Sequence, residues 1–169
     1  MKKDSKALML NIGCGEEEIG DIRLDLVATS AANIVGDAQH LPFRGSMFTE
    51  VYERNVLEHM PNPAEHLSEI KRVLKRGGAV ILVTDNAACL KYYLLGTHTG
   101  GYSKHDGKDR HYALFTQEHI KNLMQSCGLE IQKLKLVDTQ YPTKYFDRLV
   151  RTFLPALSYP RILVEAKKS

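Results

Sequence analysis

The stretch LNIGCGEEEIGDIRLDLV, residues 10 to 27, constrains the chain more than any other. An apolar run ends in Gly13-Cys14-Gly15, and a second apolar run closes on Asp25. Strand, glycine turn, crossover, strand and acid is the order in which a nucleotide-type pocket begins. Yet only eight residues lie between Gly15 and Leu24, and three of them are consecutive glutamates. Eight extended residues reach roughly 27 Å, and a five-residue strand is about 17 Å long. A return to the start of a parallel neighbour is feasible, but with one helical turn at most, short of the usual dozen residues. The first crossover is expected as a near-bare loop.

The glutamates narrow the ligand. A dinucleotide site receives its pyrophosphate at a third glycine and the following helix N-terminus. Here that glycine is missing, and a diphosphate beside three carboxylates would cost on the order of several kcal/mol. The acid also arrives ten residues after Gly15, where a dinucleotide site has it at about 20. A nucleoside ligand without phosphate escapes the objection, and a cationic one gains from the carboxylates.

Further along, residues 7–12, 21–27, 33–37, 48–54 and 79–85 are short apolar runs bounded by turn residues and read as strands. Between the last two, Ala64, Leu67, Ile70, Val73 and Leu74 recur at helical spacing, with Gly77–Gly78 read as the C-cap. A second helix is signalled by TQEHIKNLMQSCG, with Thr116 as N-cap, Glu118 near the reciprocal capping position and Gly128 as the stop. Strands 129–137 and 161–167 close the chain, and CLKYYLLG reads as helical before a long polar loop. Strands alternating with crossovers make this an α/β protein with a mainly parallel sheet. At 169 residues it is expected to form one domain, 1–169, with a ligand-binding half to residue 86 and a second half from 87.

Four segments in this order resemble the class I S-adenosylmethionine-dependent methyltransferases. LNIGCG is similar to their glycine motif, GDAQHLPF (36–43) to their adenine-side segment, EVYERNVLEHM (50–60) to their fourth strand and following turn, and IKRVLKRGGAVILVTDN (70–86) to the helix and Gly-Gly before their fifth strand. HYALFTQEHIKNLMQSCGLEI (111–131) resembles, less specifically, a later helix-to-strand segment. The resemblance implies a Rossmann-like sandwich on a seven-stranded sheet, parallel except for an antiparallel last hairpin. The helix after the first strand is reduced or absent, as in a subset with short crossovers. It also implies S-adenosylmethionine as cofactor and methyl transfer to an acceptor that the sequence does not name.

Carried over residue by residue, Gly13, Cys14 and Gly15 would bring main chain against the methionine portion, where small residues are needed. Asp25 would accept both ribose hydroxyls, and Leu26 would lie along the adenine. Asp37 would accept from the adenine amino group with Ala38 beside it, although an acid there also reads as a turn cap. Asn55 follows the fourth strand on the ligand edge. His59, four residues on, is the candidate base for an O–H or N–H acceptor; it also reads as an ordinary histidine at the start of a helix. His105, His111 and Tyr112 fall in the polar loop, where they either line the acceptor or are solvated.

Composition limits the alternatives. No stretch approaches the roughly 18 apolar residues of a membrane span. The charged N-terminus before ALMLNIG does not make a signal peptide. Cys14, Cys89 and Cys127 lack metal-ligand spacing and fit reduced thiols in a cytoplasmic protein. Residues 1–70 carry six Lys/Arg against twelve Asp/Glu, and residues 71–169 seventeen against eight. The basic half either faces an anionic acceptor or is a mixed solvated surface; nucleic acid is not indicated. The segment KYFDRLVRTFLPAL (144–157) reads as an amphipathic helix, on a core, a substrate or a membrane surface. With the first crossover bare, Leu8, Leu10, Leu24 and Leu26 are expected to need a shield: another segment of the chain such as 144–157, the substrate or a homodimer contact, with the last two favoured. The competing functions are a nucleoside-binding module without turnover and a nicotinamide oxidoreductase.

Overall fold

A computed structural model describes residues 7–90, 111–137 and 152–169. Seven strands form one sheet: β1 Met9–Ile12, β2 Ile22–Asp25, β3 Ile34–Val35, β4 Phe48–Arg54, β5 Leu74–Asp85, β6 Leu129–Val137 and β7 Arg161–Lys168. Their order is β3-β2-β1-β4-β5-β7-β6, parallel except for β7, which runs antiparallel to both neighbours. Helix α1 spans Pro63–Val73, α2 Gln117–Ser126 and the single turn α3 Pro155–Ser158. No helix lies between β1 and β2, as the spacing required, nor between β2 and β3 or β3 and β4.

The two faces of the sheet differ for a chiral reason. The chain steps from β1 to β2 in one direction along the sheet and from β4 to β5 in the other. Right-handed connections must therefore lie on opposite faces. Helix α1 covers the face of Leu10, Ile12, Leu24, Val51, Val80, Leu82 and Val164, and α2 adds Ile120 and Met124 to the same core. The β1–β2 loop crosses the other face, where a Cβ on Gly20 would lie 3.5 Å from Asn11 Cβ. Neither long helix lies on that face.

The residues expected to need shielding are thus only partly the right ones. Leu10 and Leu24 are fully buried, because they point toward α1. Register puts Asn11, Arg23, Tyr52, Arg54, Ile81 and Glu165 on the second face, a mixture of apolar and charged side chains. These side chains are more polar than those facing α1, yet Asn11 among them is buried. Leu26 alone of the four is widely exposed, at 71%.

Three local expectations need correction. Helix α1 ends at Val73, with Leu74 already extended at φ −67°, ψ 139°. Gly77 and Gly78 do not cap it; they lie within β5, where the register slips between Phe48 and Glu50. Four residues of β5 bulge there, Gly77 at φ +74°, and a Cβ on Gly78 would meet the Lys75 carbonyl oxygen at 2.8 Å. In α2, Thr116 does cap the helix, but the reciprocal partner is His119 rather than Glu118. His119 Nδ1 accepts from the Thr116 amide at 3.4 Å and its own amide donates to Thr116 Oγ1 at 3.3 Å. A continuous helix over 144–157 is excluded at Leu154, whose φ −135°, ψ 61° precedes the separate turn starting at Pro155. Phe153 and Leu154 are exposed rather than core; the earlier part of that segment, the helical reading of 91–96 and His105 lie outside the described residues.

Adjacent residues of β5 offer a test of the two faces. Leu82→Ala should cost about 2–5 kcal/mol through a core cavity, and Ile81→Thr under about 1 kcal/mol. Urea unfolding of both variants measures the contrast, and equal losses would show the second face to be packed.

Candidate functional site

The carboxyl ends of β1, β2, β3 and β4 converge where the strand order reverses, the usual binding position of open α/β sheets. Each end is fixed by its own backbone chemistry. After β1 the chain turns at Gly13 (φ +64°) and Gly15 (φ +50°). The amides of Gly13 and Cys14 donate to the Leu24 carbonyl at 2.8 and 3.2 Å, and the Gly15 amide donates to Asp25 Oδ2 at 2.9 Å. A Cβ at Gly13 would stand 2.4 Å from Val56 Cγ2, whereas one at Gly15 would meet nothing within 4 Å. Gly13 is thus demanded by packing and conformation together, and Gly15 by conformation beside open space.

Around that turn lies a cleft of about 970 Å³, in the size range of small-molecule and cofactor sites. Its walls include Gly13, Gly15, Asp25, Leu26, Asp37, Ala38, Asn55 and His59. Eight of the nine residues picked out from the sequence therefore face one space. Cys14 does not: it is buried under the turn, its thiol 4.0 Å from Thr29 Oγ1, and burial raises its pKa.

Asp25 already accepts two main-chain bonds, from Gly15 and, at 3.2 Å, from Val27. A carboxylate offers about four acceptor positions, so two remain for a ligand. Asp37 accepts from the Gln39 amide at 2.8 Å and lies 3.6 Å from His40 Nδ1, so it caps a turn while lining the cleft. Asn55 holds φ +56°, a left-handed conformation that asparagine tolerates better than most residues, and its buried Oδ1 has no hydrogen-bond partner. A ligand donor in the cleft would satisfy it. Of the three glutamates after the turn, Glu17 is paired with Arg54 at 3.2 Å.

The His59 ring packs edge-on against His111, with centroids 4.6 Å apart. Tyr112, Met60 and Pro61 line the cleft at the same end. The Tyr112 amide donates to the Glu58 carbonyl at 2.8 Å, which ties the 111–113 segment to the turn carrying His59. Tyr112 thus takes the acceptor-lining alternative, whereas Val27, Gly36, Gln39, Val56, Met60 and Pro61 are not assigned to the site by the sequence. Only Val27, directly after Leu26, carried a local signal, as an apolar residue following a strand-ending acid.

Two buried acids sit beneath the site, and no periodicity announces either. Glu53 Oε2 lies 2.6 Å from His66 Nε2, both side chains fully buried, and His66 Nδ1 lies 3.0 Å from the Ala38 carbonyl. Burial alone would lower the His66 pKa, but the adjacent Glu53 carboxylate outweighs it and the net shift is upward. Glu58 accepts from Thr84 Oγ1 at 2.7 Å through Oε2, while its buried Oε1 has no partner. Burial, and then the nearby Asp85 carboxylate, raise its pKa to about 7.

Glu58 therefore titrates near neutrality when folded and near 4.5 when unfolded. Between those values the unfolded chain holds fewer protons, so stability falls as pH rises through this window. Glu58→Gln should stabilise the protein by up to about 3 kcal/mol at pH 8 and by almost nothing at pH 4.5. Melting curves at both pH values check this; an equal shift at each would assign the ionisation to another group.

Residues 16–82 match the family model described as a methyltransferase domain. No curated protein sequence matches the chain. Among solved structures, an S-adenosylmethionine-dependent methyltransferase from Archaeoglobus fulgidus aligns at 20% identity and a TM-score of 0.65, over 96% of this chain and 86% of that one. Another from Thermotoga maritima aligns at 18% identity and 0.67, over 98% and 83%. The cyclase SpnF shares the fold too, at 16% identity and 0.62, over 96% and 75%. Residues 16–82 thus match a methyltransferase-domain model, and the sheet order beneath the glycine turn is the fold of these S-adenosylmethionine-dependent methyltransferase structures.

Proposed function

We propose that this chain moves the methyl group of S-adenosylmethionine by direct in-line displacement onto a small-molecule acceptor that enters beside His59 and Tyr112. The observation that carries this reading is the convergence of Gly15, Asp25, Asp37 and Asn55 on one cleft. The glycine turn leaves room for the methionine portion and Asp25 offers its two open acceptor positions to the ribose. Leu26 gives the adenine an apolar surface, and Asp37 and Ala38 meet its polar edge. Cys14 contributes the shape of the turn rather than a contact. The sulfonium is already a good leaving group, so the protein's task is mainly placement and exclusion of water.

In the reaction the acceptor atom forms a bond to the methyl carbon while the carbon–sulfur pair returns to sulfur. An O–H or N–H acceptor must then lose its proton, and a ring nitrogen of His59 takes it. The basic excess of residues 71–169 favours an anionic acceptor. A nucleoside-binding module without methyl transfer is the second reading, favoured by the shared fold of a cyclase. Release of S-adenosylhomocysteine across a panel of acceptors separates the two, and a response to NAD(P) would instead support an oxidoreductase.

Calorimetry should find S-adenosylmethionine and S-adenosylhomocysteine binding below millimolar concentration. Asp25→Ala should weaken both by roughly 1.5–3 kcal/mol, the scale of hydrogen bonds to a charged group. No binding by the unmodified chain would sink the reading, and an unchanged affinity in the variant would remove Asp25 from the ribose.

His59→Ala should lower turnover roughly 100-fold with little change in cofactor affinity. A lower melting temperature with normal turnover would make His59 a structural residue paired to His111.

A further inference from the structure

We infer that His66 is a positioning residue for the adenine end of the cleft, acting through the Ala38 carbonyl and held in orientation by Glu53. The inference rests on the cofactor reading above. Ala38 and its neighbours Asp37 and Gln39 all line the cleft, and they belong to a stretch with no helix of its own to hold them. Helix α1 supplies the hold. His66, Glu69 and Arg72 recur every three residues along it. Glu69 accepts from the Leu41 amide at 2.9 Å, and Arg72 donates to the carbonyls of Leu41 and Phe43 at 3.0 and 2.7 Å. Those two grip the outer part of the stretch near solvent; His66 grips the part that lines the cleft, and it is fully buried.

The geometry fixes the imidazole. A carbonyl oxygen can only accept, so the proton on Nδ1 points at Ala38. Nε2 faces Glu53 Oε2 at 2.6 Å, a separation that holds one proton between the two. A ring so engaged at both nitrogens has one orientation and one tautomer on the Ala38 side, the arrangement by which outer partners orient inner ligands. Packing alone does not explain the pair. Replacing a buried ion pair by apolar residues of similar volume is often neutral or stabilising, and Glu53 Oε1 is left buried without a partner. Beyond each other, the only polar group these two side chains hydrogen-bond among the described residues is the Ala38 carbonyl.

The test exploits the fact that an asparagine amide nitrogen overlays Nδ1 of histidine and a glutamine amide nitrogen overlays Nε2. Calorimetric affinities are measured for S-adenosylhomocysteine and for its analogue lacking the 6-amino group of the purine. The unmodified chain and E53Q should bind the first alike, and the analogue about tenfold more weakly. E53Q/H66N, which keeps a donor at Ala38, should preserve that preference. E53Q/H66Q should lose about tenfold toward S-adenosylhomocysteine and little toward the analogue, so that the preference disappears. If E53Q/H66Q does not fold, E53L/H66L replaces it with the same expectation. A folded variant without the Ala38 donor that keeps the full preference overturns the inference and leaves the cofactor reading standing. Failure of the unmodified chain to bind either ligand overturns both.

Discussion

The cleft depends on one carbonyl. Leu24 O receives the amides of both Gly13 and Cys14, and the next residue, Asp25, receives Gly15. These three bonds fasten the end of β1 to the end of β2 across a loop too short for a helix. The reversal they require is left-handed at Gly13, and the hydrogen in place of a Cβ lets Val56 pack directly on the turn. Val56 opens the short turn that carries Glu58 and His59. One glycine therefore sets the spacing of three strand ends, and the left-handed Asn55 beside it completes the wall.

Where the sequence was legible, the information was local. Strands 48–54 and 129–137 are bounded by turn residues and fall as read; Thr116 and Gly128 bound α2, the latter at φ +68°. The bare first crossover followed from chain length alone. What escaped depends on residues far apart. Glu53 and His66 stand thirteen positions from each other and interrupt apolar patterns as charged side chains, so each by itself reads as solvent-facing. Glu58 occupies a turn where an acid is ordinarily a cap, and only the fold brings Thr84 and Asp85 to it. The character of the second face is legible in β4 (FTEVYER) and β7 (RILVEAKK), whose apolar and polar residues alternate, rather than in the four leucines of the first two strands.

Helix α1 takes on a role shared by several helices in a fuller sandwich. With no helix in the first three crossovers, its apolar side fills the core through Leu67, Ile70 and Val73, and its His66–Glu69–Arg72 edge restrains the segment after β3. The divided labour explains why a helix of eleven residues carries buried polar and apolar positions side by side. It also means that the ribose end and the adenine end of the cleft are secured differently, one by main chain and the other by side chains.

An open sheet has two borders, and open borders invite other chains to pair. Here both are blunted. The β3 border is two residues long, too short to template a stable ladder. The β6 border is nine residues long, but Lys133 and Lys135 project from it on the face of Glu165. Bringing two such borders together would set lysine against lysine. Among the described residues, both borders thus carry sequence that discourages edge-to-edge pairing.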